Sequence, residues 1–155
     1  CGTDQDYTIL CEFTADGTQE GQGAALIHCM HETSPYPGLV FQKAPNGAWR
    51  IAAGNPDSEI QYDTDGSTPL VPYDANTHKF AIVRNGGSIS LACKGKMINV
   101  TYTHNLVTEN LLLGAYQTTD GEKGRFFAGT VSQFKVYNYA FDDNQLRDFV
   151  GEIQN

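Results

Sequence analysis

Residues 129–149 constrain the fold of this chain more than any other part of the sequence. In the first half of this stretch, Phe134 and Val136 would point to one side of a strand, and Lys135 and Tyr137 to the other. This period-two alternation is typical of a strand that covers a core with one face. The stretch therefore predicts a long final strand that packs on an apolar interior.

A short amphipathic helix is predicted directly after that strand. Asp142 and Asp143 offer side-chain oxygens that can accept hydrogen bonds from the first N–H groups of a helix. Leu146, Phe149 and Val150 stand three and four residues apart, which places them on one helical face. This apolar face must pack against another element of the fold.

The rest of the chain is typical of short strands joined by turns. The clearest turn signals are Asn46-Gly47 and Asn85-Gly86-Gly87, which suit tight hairpins. The predicted strands are 7–13, 24–30, 39–43, 49–53, 59–62, 79–84, 88–93, 98–102, 111–113 and 126–129. With the final strand and helix, they predict an all-β fold, a two-sheet antiparallel jelly-roll sandwich with one short C-terminal helix. At 155 residues, the chain is expected to be a single domain.

The charge of the chain excludes several classes of partner. The net charge is −8, and the ten Lys and Arg residues are scattered without a run. Nucleic acids and anionic membrane surfaces call for a basic footprint, so neither is expected as a partner. No apolar run approaches the length of about 20 residues that a membrane-spanning helix needs, so no membrane insertion is expected. Neutral sugars, calcium and basic partners stay open.

Four cysteines invite the question of disulfides. Cys11, Cys29 and Cys93 each fall on the apolar face of a predicted strand, whereas Cys1 precedes the first strand. A chain of this size needs no disulfide framework to fold. Three buried thiols are therefore the preferred interpretation, and a disulfide pair is the alternative.

The C-terminal half resembles the laminin-G-like branch of the concanavalin A-like lectin/glucanase superfamily. The resemblance also covers stretches 78–91 and 111–115. The residues of the final stretch that fit its signature are Gly129, Val136, Tyr137, Asn138, Ala140, Phe141, Asp142, Asp143 and Leu146. The resemblance implies a concanavalin A-like jelly roll. It leaves function open, because lectins, adhesion modules and hydrolases share this fold.

Hydrolases of the superfamily carry alternating carboxylates on one strand, and the nearest match here is Glu59-Ile-Gln-Tyr-Asp63. Gln61 stands where the central acid belongs. Along a strand, Glu59 and Asp63 would lie about 13 Å apart, at roughly 3.3 Å per residue. Paired glycosidase carboxyl groups lie closer together, within roughly 5–9.5 Å. The pattern therefore argues against an enzyme.

Metal ligands give a weaker signal. Calcium (Ca2+) is a candidate cofactor because carboxylates are frequent in the loops around Asp16, Asp57, Asp63 and Asp120, and many relatives bind calcium between loops. The alternative is that these acidic residues only form turns. His28 and His31 would face opposite sides of a strand, so they do not form a zinc pair.

Sugar recognition needs flat aromatic faces and planar polar groups beside them. The candidate ligand-binding residues are Tyr36, Trp49, Tyr116, Asp120, Arg125 and His31. Tyr36 lies between two prolines, and Arg125 has a guanidinium that can clamp the carboxylate of a sialic or uronic acid. Trp49 is also typical of a core residue, because large aromatic side chains dominate core burial.

The resemblance and these residues favour a non-catalytic carbohydrate-binding, lectin-like module that binds a glycan or surface glycoconjugate. Such a module would belong to a larger extracellular, cell-surface or virion-surface protein, from which this sequence would be one excised domain. The first alternative is a protein-interaction or structural adhesion module, as in a bacterial adhesin or a phage tail. The second alternative is a degenerate glycoside hydrolase.

Overall fold

The computed structural model describes residues 5–16, 24–30, 38–43, 49–55, 58–62, 71, 74–93, 96–101, 111–118 and 120–151. These residues form β1 (Tyr7–Ala15), β2 (Ala25–Met30), β3 (Gly38–Lys43), β4 (Trp49–Asn55), β5 (Ser58–Tyr62), β6 (Thr77–Asn85), β7 (Ser88–Cys93), β8 (Lys96–Thr101), β9 (Leu112–Leu113), β10 (Tyr116–Gln117), β11 (Lys123–Gly124), β12 (Gly129–Tyr137) and α1 (Asp143–Val150). The predicted all-β chain with one short C-terminal helix is confirmed.

Ten of these strands form two five-stranded antiparallel sheets. The first sheet has the order β12-β1-β6-β7-β8, and the second has the order β5-β4-β3-β2-β9. The predicted hairpin over Asn85-Gly86-Gly87 is present as β6–β7, and Gly86 adopts a φ of 57° that residues with a Cβ rarely reach. The other two strands, β10 and β11, pair with each other. The sequence predicts a charged loop over residues 118–125, and β11 lies within that range. Two stacked antiparallel sheets form the predicted sandwich.

The two sheets enclose an aromatic core centred on Phe13 of β1. The Phe13 ring makes edge-to-face contacts with Phe41, Trp49, Phe80 and Phe127, at centroid distances of 5.0 to 6.4 Å. Phe41 and Trp49 belong to the second sheet, so these contacts join the two sheets directly. Each such pair contributes about 0.5–1.5 kcal/mol beyond the burial of its surface.

Strand β2 departs from its predicted alternation at one point. The sequence predicts that Ala25 shares the inward face of Ile27 and Cys29, and for Ala25 this is wrong. A register shift against β3 between Ala25 and Ile27 turns Ala25 to the outer face, where it packs with Val40 and Tyr116. Ile27 stays in the core between the sheets. The irregularity gives the outer face of the second sheet an apolar floor.

Strand β12 has apolar contacts on both faces. Phe134 packs against the core between the sheets, as predicted, while Tyr137 packs on the opposite face against the cluster around α1. Val136 was expected to point inward with Phe134, yet its side chain is 52% exposed. The reason is that β12 lies at the edge of the first sheet and has a strand neighbour only on the β1 side.

Helix α1 covers the outer face of the first sheet, as its apolar stripe predicts. Asp142 caps the helix: its side chain accepts from the Gln145 N–H at 2.9 Å, and the Gln145 side chain accepts from the Asp142 N–H at 3.0 Å. Leu146 and Val150 are buried. Their cluster in the first sheet comprises Leu10, Ala81, Val83 and Ala92. No helix among the described residues is long and apolar enough to cross a membrane.

Thr8 of β1 ties the segment between β12 and α1 to the first sheet. The Thr8 side chain is completely buried. Its hydroxyl donates to the Tyr139 carbonyl oxygen at 2.9 Å and accepts from the Phe141 N–H at 2.9 Å. One side chain thus satisfies two backbone groups where the chain turns from the strand into the helix.

The three cysteines of the described strands are buried thiols, which confirms the preferred interpretation for Cys11, Cys29 and Cys93. Burial, together with the nearby Glu12 carboxylate, raises the pKa of the Cys11 thiol to about 12. Burial likewise raises the pKa of Cys93 to about 11, although Lys96 acts in the opposite direction. Cys1 lies outside the described residues.

Replacing Thr8 by Val should destabilise the fold by about 2–4 kcal/mol, because valine keeps the shape but leaves the Tyr139 carbonyl and the Phe141 N–H unsatisfied. Urea denaturation measures the free energy of unfolding. The matched control is Thr14→Val, which removes a hydroxyl contact with Thr77 at an exposed position and should cost less than about 0.5 kcal/mol. Equal losses in the two variants would contradict this account of Thr8.

The cysteine thiols should resist a disulfide reagent in the folded protein. At pH 8, only about one Cys93 thiol in a thousand would be ionised at the raised pKa, and the thiolate is the reactive form. A Cys1→Ser variant keeps three thiols. With Ellman's reagent it should show no fast reaction in buffer and three reacting thiols in a denaturing concentration of guanidinium, roughly 6 M. Fast reaction of a thiol in buffer would contradict the described burial.

Candidate functional site

The outer face of the second sheet carries a set of polar side chains with low exposure. Trp49 and Ile51 of β4 point into the core, so Arg50 between them points outward. By the same alternation in β3, Leu39 and Phe41 point inward and Val40 and Gln42 outward. The register places Gln42 opposite Arg50 on β4 and Val40 opposite His28 on β2. We call this surface, with Ala25, His28, Val40, Gln42 and Arg50, the outer face.

The β10–β11 hairpin lies against the β2 side of this face. The Gly114 N–H donates to the Leu26 carbonyl at 2.8 Å, and the Ala25 N–H donates to the Arg125 carbonyl at 3.0 Å. Phe126 forms an isolated parallel bridge with Ala25. Backbone hydrogen bonds on both sides of the hairpin therefore hold it to β2.

Tyr116 is the centre of the site. Its ring is 8% exposed and packs on Ala25 and Val40 of the sheet. The His28 ring lies 4.5 Å from the Tyr116 ring, centroid to centroid, and the Arg125 guanidinium carbon lies 4.4 Å from the same centroid. Because the ring is covered in this way, Tyr116 offers little stacking surface to a ligand. Its role in this geometry is to position the exposed Arg125 through a cation–π contact.

The backbone of Arg125 is left-handed, with φ of 48°, and Arg125 is the one residue other than glycine with a positive φ among the described residues. This conformation costs an L-residue roughly 1–2 kcal/mol. It is held by the β10–β11 pair on one side and by the Ala25–Phe126 bridge on the other. Strain of this kind persists where neighbouring structure enforces it, and it is common at binding sites.

A second arginine is fixed on the same outer face. The Gln42 amide is oriented with its oxygen toward Arg50, because the opposite orientation would set its NH2 group against the guanidinium donors. In this orientation it accepts from Arg50 Nε at 3.1 Å and from Nη2 at 2.7 Å. Gln42 is only 5% exposed, so it is a rigid support for the guanidinium. The Nε–Nη2 edge of the Arg50 guanidinium is thus bound to Gln42, which fixes the orientation of the guanidinium plane.

Asp120 lies at the tip of the β10–β11 hairpin. The hydroxyl of Thr118 hydrogen-bonds its carboxylate, and this bond, followed by backbone N–H groups, lowers the pKa of Asp120. The Thr118 N–H also donates to the Glu122 carbonyl at 2.9 Å, which closes the turn. An ionised carboxylate at this position can accept hydrogen bonds from sugar hydroxyls.

The structure therefore brings together three of the predicted ligand residues. Tyr116, Asp120 and Arg125 lie on one hairpin, with Asp120 at the tip and Tyr116 and Arg125 at the base. Trp49 does not join them, because its side chain is 1% exposed and stacks on Phe41 in the core. The prediction of Trp49 as a ligand residue is therefore wrong, and the alternative that it is a core residue is confirmed. Tyr36 and His31 lie outside the described residues.

Sequence reasoning missed His28, Gln42 and Arg50 as members of the site. A signal for Gln42 and Arg50 was present, since both alternate with core residues across the β3–β4 hairpin. The sequence around His28 argues against a zinc pair and gives no other signal for this residue, because its ring contact with Tyr116 joins residues far apart in the sequence. Only the tertiary structure reveals that contact.

The residues considered for catalysis and for metal binding form no such site within the part of the chain that the structure describes. Glu59 and Gln61 lie in β5, at the edge of the second sheet, opposite Gly54 and Ala52. Asp63 lies outside the described residues, as does Asp57. Across the part of the chain that the structure describes, no three His, Cys, Asp or Glu residues form a group that could hold a metal ion.

Comparison with protein families gives one match over almost the whole chain. A laminin-G-type family model, described as "Concanavalin A-like lectin/glucanases superfamily", matches residues 2–147. Comparison with curated protein sequences gives no significant match.

Several solved structures share the fold. The IT-sialidase CBM40 of Ruminococcus gnavus, bound to alpha2,6 sialyllactose, has a TM-score of 0.75 at 15% identity, over 96% of this chain and 85% of that chain. The leech intramolecular trans-sialidase has a TM-score of 0.74 at 18% identity, over 96% of this chain and 24% of that one. Domains LG4-5 of the mouse laminin alpha1 chain have a TM-score of 0.60 at 18% identity, over 90% and 38%. At these identities the likeness establishes the fold alone.

The left-handed backbone of Arg125 predicts an unusual effect of glycine on the stability of the fold. Arg125→Gly should be more stable than Arg125→Ala by about 1 kcal/mol, because glycine adopts the left-handed backbone without strain. Lys123, in β11, is the matched control. There the order should reverse, with Ala about 0.5–1 kcal/mol better than Gly. Urea denaturation of the four variants measures both differences, and the same order at both positions would contradict the left-handed assignment.

Proposed function

This chain belongs to the concanavalin A-like lectin/glucanase superfamily, and we propose that it is a non-catalytic carbohydrate-binding module that recognises an acidic sugar. The observation that carries the proposal is the Arg125 guanidinium, exposed at the surface and held over the Tyr116 ring by a strained backbone. A cation that is held in place before binding loses little conformational entropy when a carboxylate docks.

The second arginine supports the same ligand chemistry. Arg50 projects from the same outer face and is oriented by the amide oxygen of Gln42. The chain as a whole carries a charge of −8, so its overall field repels anions. An acidic sugar would therefore bind through these local arginines, and Asp120 would accept hydrogen bonds from its hydroxyl groups.

The relatives of known structure favour the same choice. The R. gnavus CBM40 was solved with alpha2,6 sialyllactose and, in a second structure, with alpha2,3 sialyllactose. Sialyllactose carries one carboxylate on an otherwise neutral oligosaccharide, and one well-placed arginine can bind it bidentately. Sialyllactose is therefore the first ligand to test on this chain.

Two further features belong to the proposal. We place the module in a larger protein, at the cell or virion surface or outside the cell, because that is where glycans with terminal acidic sugars are met. We also propose that it has no catalytic activity of its own, since Gln61 stands where hydrolases of the superfamily carry their central acid.

A protein-interaction or adhesion module is the second candidate. The observations that favour it are the likeness to laminin domains LG4-5 and the exposure of Val136 and Tyr139 near the end of β12, at 52% and 46%. The two residues provide a small apolar surface rather than the large patch typical of a protein interface. A module of this kind would bind its partner without discriminating between acidic and neutral sugars.

Titration calorimetry with sialyllactose and with lactose tests the proposal. The chain should bind sialyllactose and bind lactose far more weakly, because lactose lacks the carboxylate. Arg125→Ala and Arg50→Ala should each weaken sialyllactose binding by roughly 10- to 100-fold, since a charge-assisted hydrogen bond contributes about 1.5–3 kcal/mol. Arg147→Ala removes an exposed arginine from α1, on the other sheet, and should leave the affinity unchanged.

Equal affinity for lactose and sialyllactose would rule out recognition through the carboxylate, and an Arg125→Ala variant as tight as the wild type would rule out a role for Arg125 in it. Absence of binding to both sugars, together with a protein ligand recovered from a surface extract, would favour the adhesion module. Release of reducing sugar that is lost in Glu59→Gln would instead revive the hydrolase alternative.

A further inference from the structure

Phe126 is the most exposed large hydrophobic residue among those that the structure describes, with 61% of its surface open to solvent. It directly follows Arg125 and lies beside Ala25, the first residue of β2. A ring of this size exposed beside a fixed cation offers a ligand both an apolar and a charged contact. The sequence predicts a strand at residues 126–129 and gives no sign that Phe126 binds a ligand.

The backbone shows which way the Phe126 ring points. Phe127, the next residue, packs inward against Phe13 and Trp49. Phe126 bridges to Ala25, whose side chain lies on the outer face against Tyr116. Because neighbouring residues of an extended chain project to opposite sides, Phe126 projects outward.

Phe126 therefore lies on the same side of the sheet as the Arg125–Tyr116 pair. Tyr116 contacts Ala25, and Ala25 is the bridge partner of Phe126, so both aromatic residues are neighbours of the same small residue. The Arg125 guanidinium lies over the Tyr116 ring on the same face. A ligand whose carboxylate binds this guanidinium would lie on the same face as the Phe126 ring.

The combination of the Arg125 guanidinium and the Phe126 ring distinguishes between classes of ligand. A small carboxylate or a phosphate can satisfy the guanidinium but makes no contact with the exposed part of the ring. A neutral sugar can pack its C–H face on a ring but leaves the guanidinium without a counter-charge. A sugar acid presents the carboxylate and the apolar C–H face on one rigid ring, and it can therefore make both contacts at once.

We propose that Phe126 is a specificity-determining residue, which packs against the apolar face of a sugar acid whose carboxylate is bound by Arg125. The inference deepens the proposed function and rests on it. In this arrangement, the Arg125 guanidinium selects ligands that carry a negative charge, and the Phe126 ring selects ligands that contain a pyranose ring.

Three substitutions at one position test this role in the complete chain. Phe126→Ala should weaken the binding of sialyllactose by about 5- to 10-fold, since it removes one aromatic contact. Phe126→Tyr keeps the ring and should bind within about 2-fold of the wild type, whereas Phe126→Leu keeps apolar surface without a flat face and should fall between them. Val136→Ala, which trims an exposed apolar side chain on the first sheet, is the matched control and should bind like the wild type.

A second measurement reports the contact itself. In an NMR experiment with ring-labelled phenylalanine, magnetisation should pass from an aromatic proton of the protein to the C–H protons of the sialyl ring, and the transfer should vanish in Phe126→Ala. Acetate at matched concentration should bind the wild type and Phe126→Ala equally, because it makes no ring contact. The Phe126→Ala protein must also show wild-type urea denaturation, so that loss of fold is recognised.

The outcomes separate the two proposals. If the wild type binds sialyllactose and Arg125→Ala does not, but Phe126→Ala binds as tightly as the wild type, the role of Phe126 is overturned and the proposed function stands. If the wild type does not bind sialyllactose or any other sugar acid, the proposed function fails and the role of Phe126 fails with it.

Discussion

The contact between the two sheets at Phe13 is the interaction on which the rest of the structure depends. The Phe13 ring meets Phe41 and Trp49 of the opposite sheet edge-to-face, so the sheets are joined by aromatic packing at their centre. Because a strand sends neighbouring residues to opposite faces, burying Trp49 inward sends Arg50 outward. The residues of β4 that are buried in the core therefore determine which of its side chains point to the outer face.

The outer face acquires its shape from a departure from regular strand geometry. The register shift in β2 turns Ala25 outward and gives Tyr116 an apolar floor on which to pack. Tyr116 then holds Arg125 from below, while the backbone of Arg125 is held by its carbonyl bond to Ala25. The register shift in β2 thus affects the position of the Arg125 side chain at the surface. It acts through the packing of Tyr116 on Ala25 and through two backbone contacts of Ala25, with Arg125 and with Phe126. Elements of this kind commonly re-aim side chains near binding sites.

The candidate site and the remainder of the fold contribute to the free energy of folding with opposite signs. Helix α1, its cap at Asp142 and the Thr8 hydrogen bonds satisfy buried polar groups and bury apolar surface, so each contributes to folding. Arg125 does the opposite, because its left-handed backbone costs free energy that glycine would not. Strained residues of this type are expected where function, rather than stability, determines the residue.

The sequence by itself determined the all-β sandwich, the hairpin over Asn85-Gly86-Gly87 and the helix after β12, because these features follow from local alternation, turn chemistry and capping. It also put Tyr116, Asp120 and Arg125 among six candidate ligand residues, without grouping them. Only the tertiary structure decided that Trp49 belongs to the core and that His28 meets Tyr116. Those outcomes depend on packing between strands far apart in the chain and on a register shift, neither of which leaves a periodic signal in a single sequence.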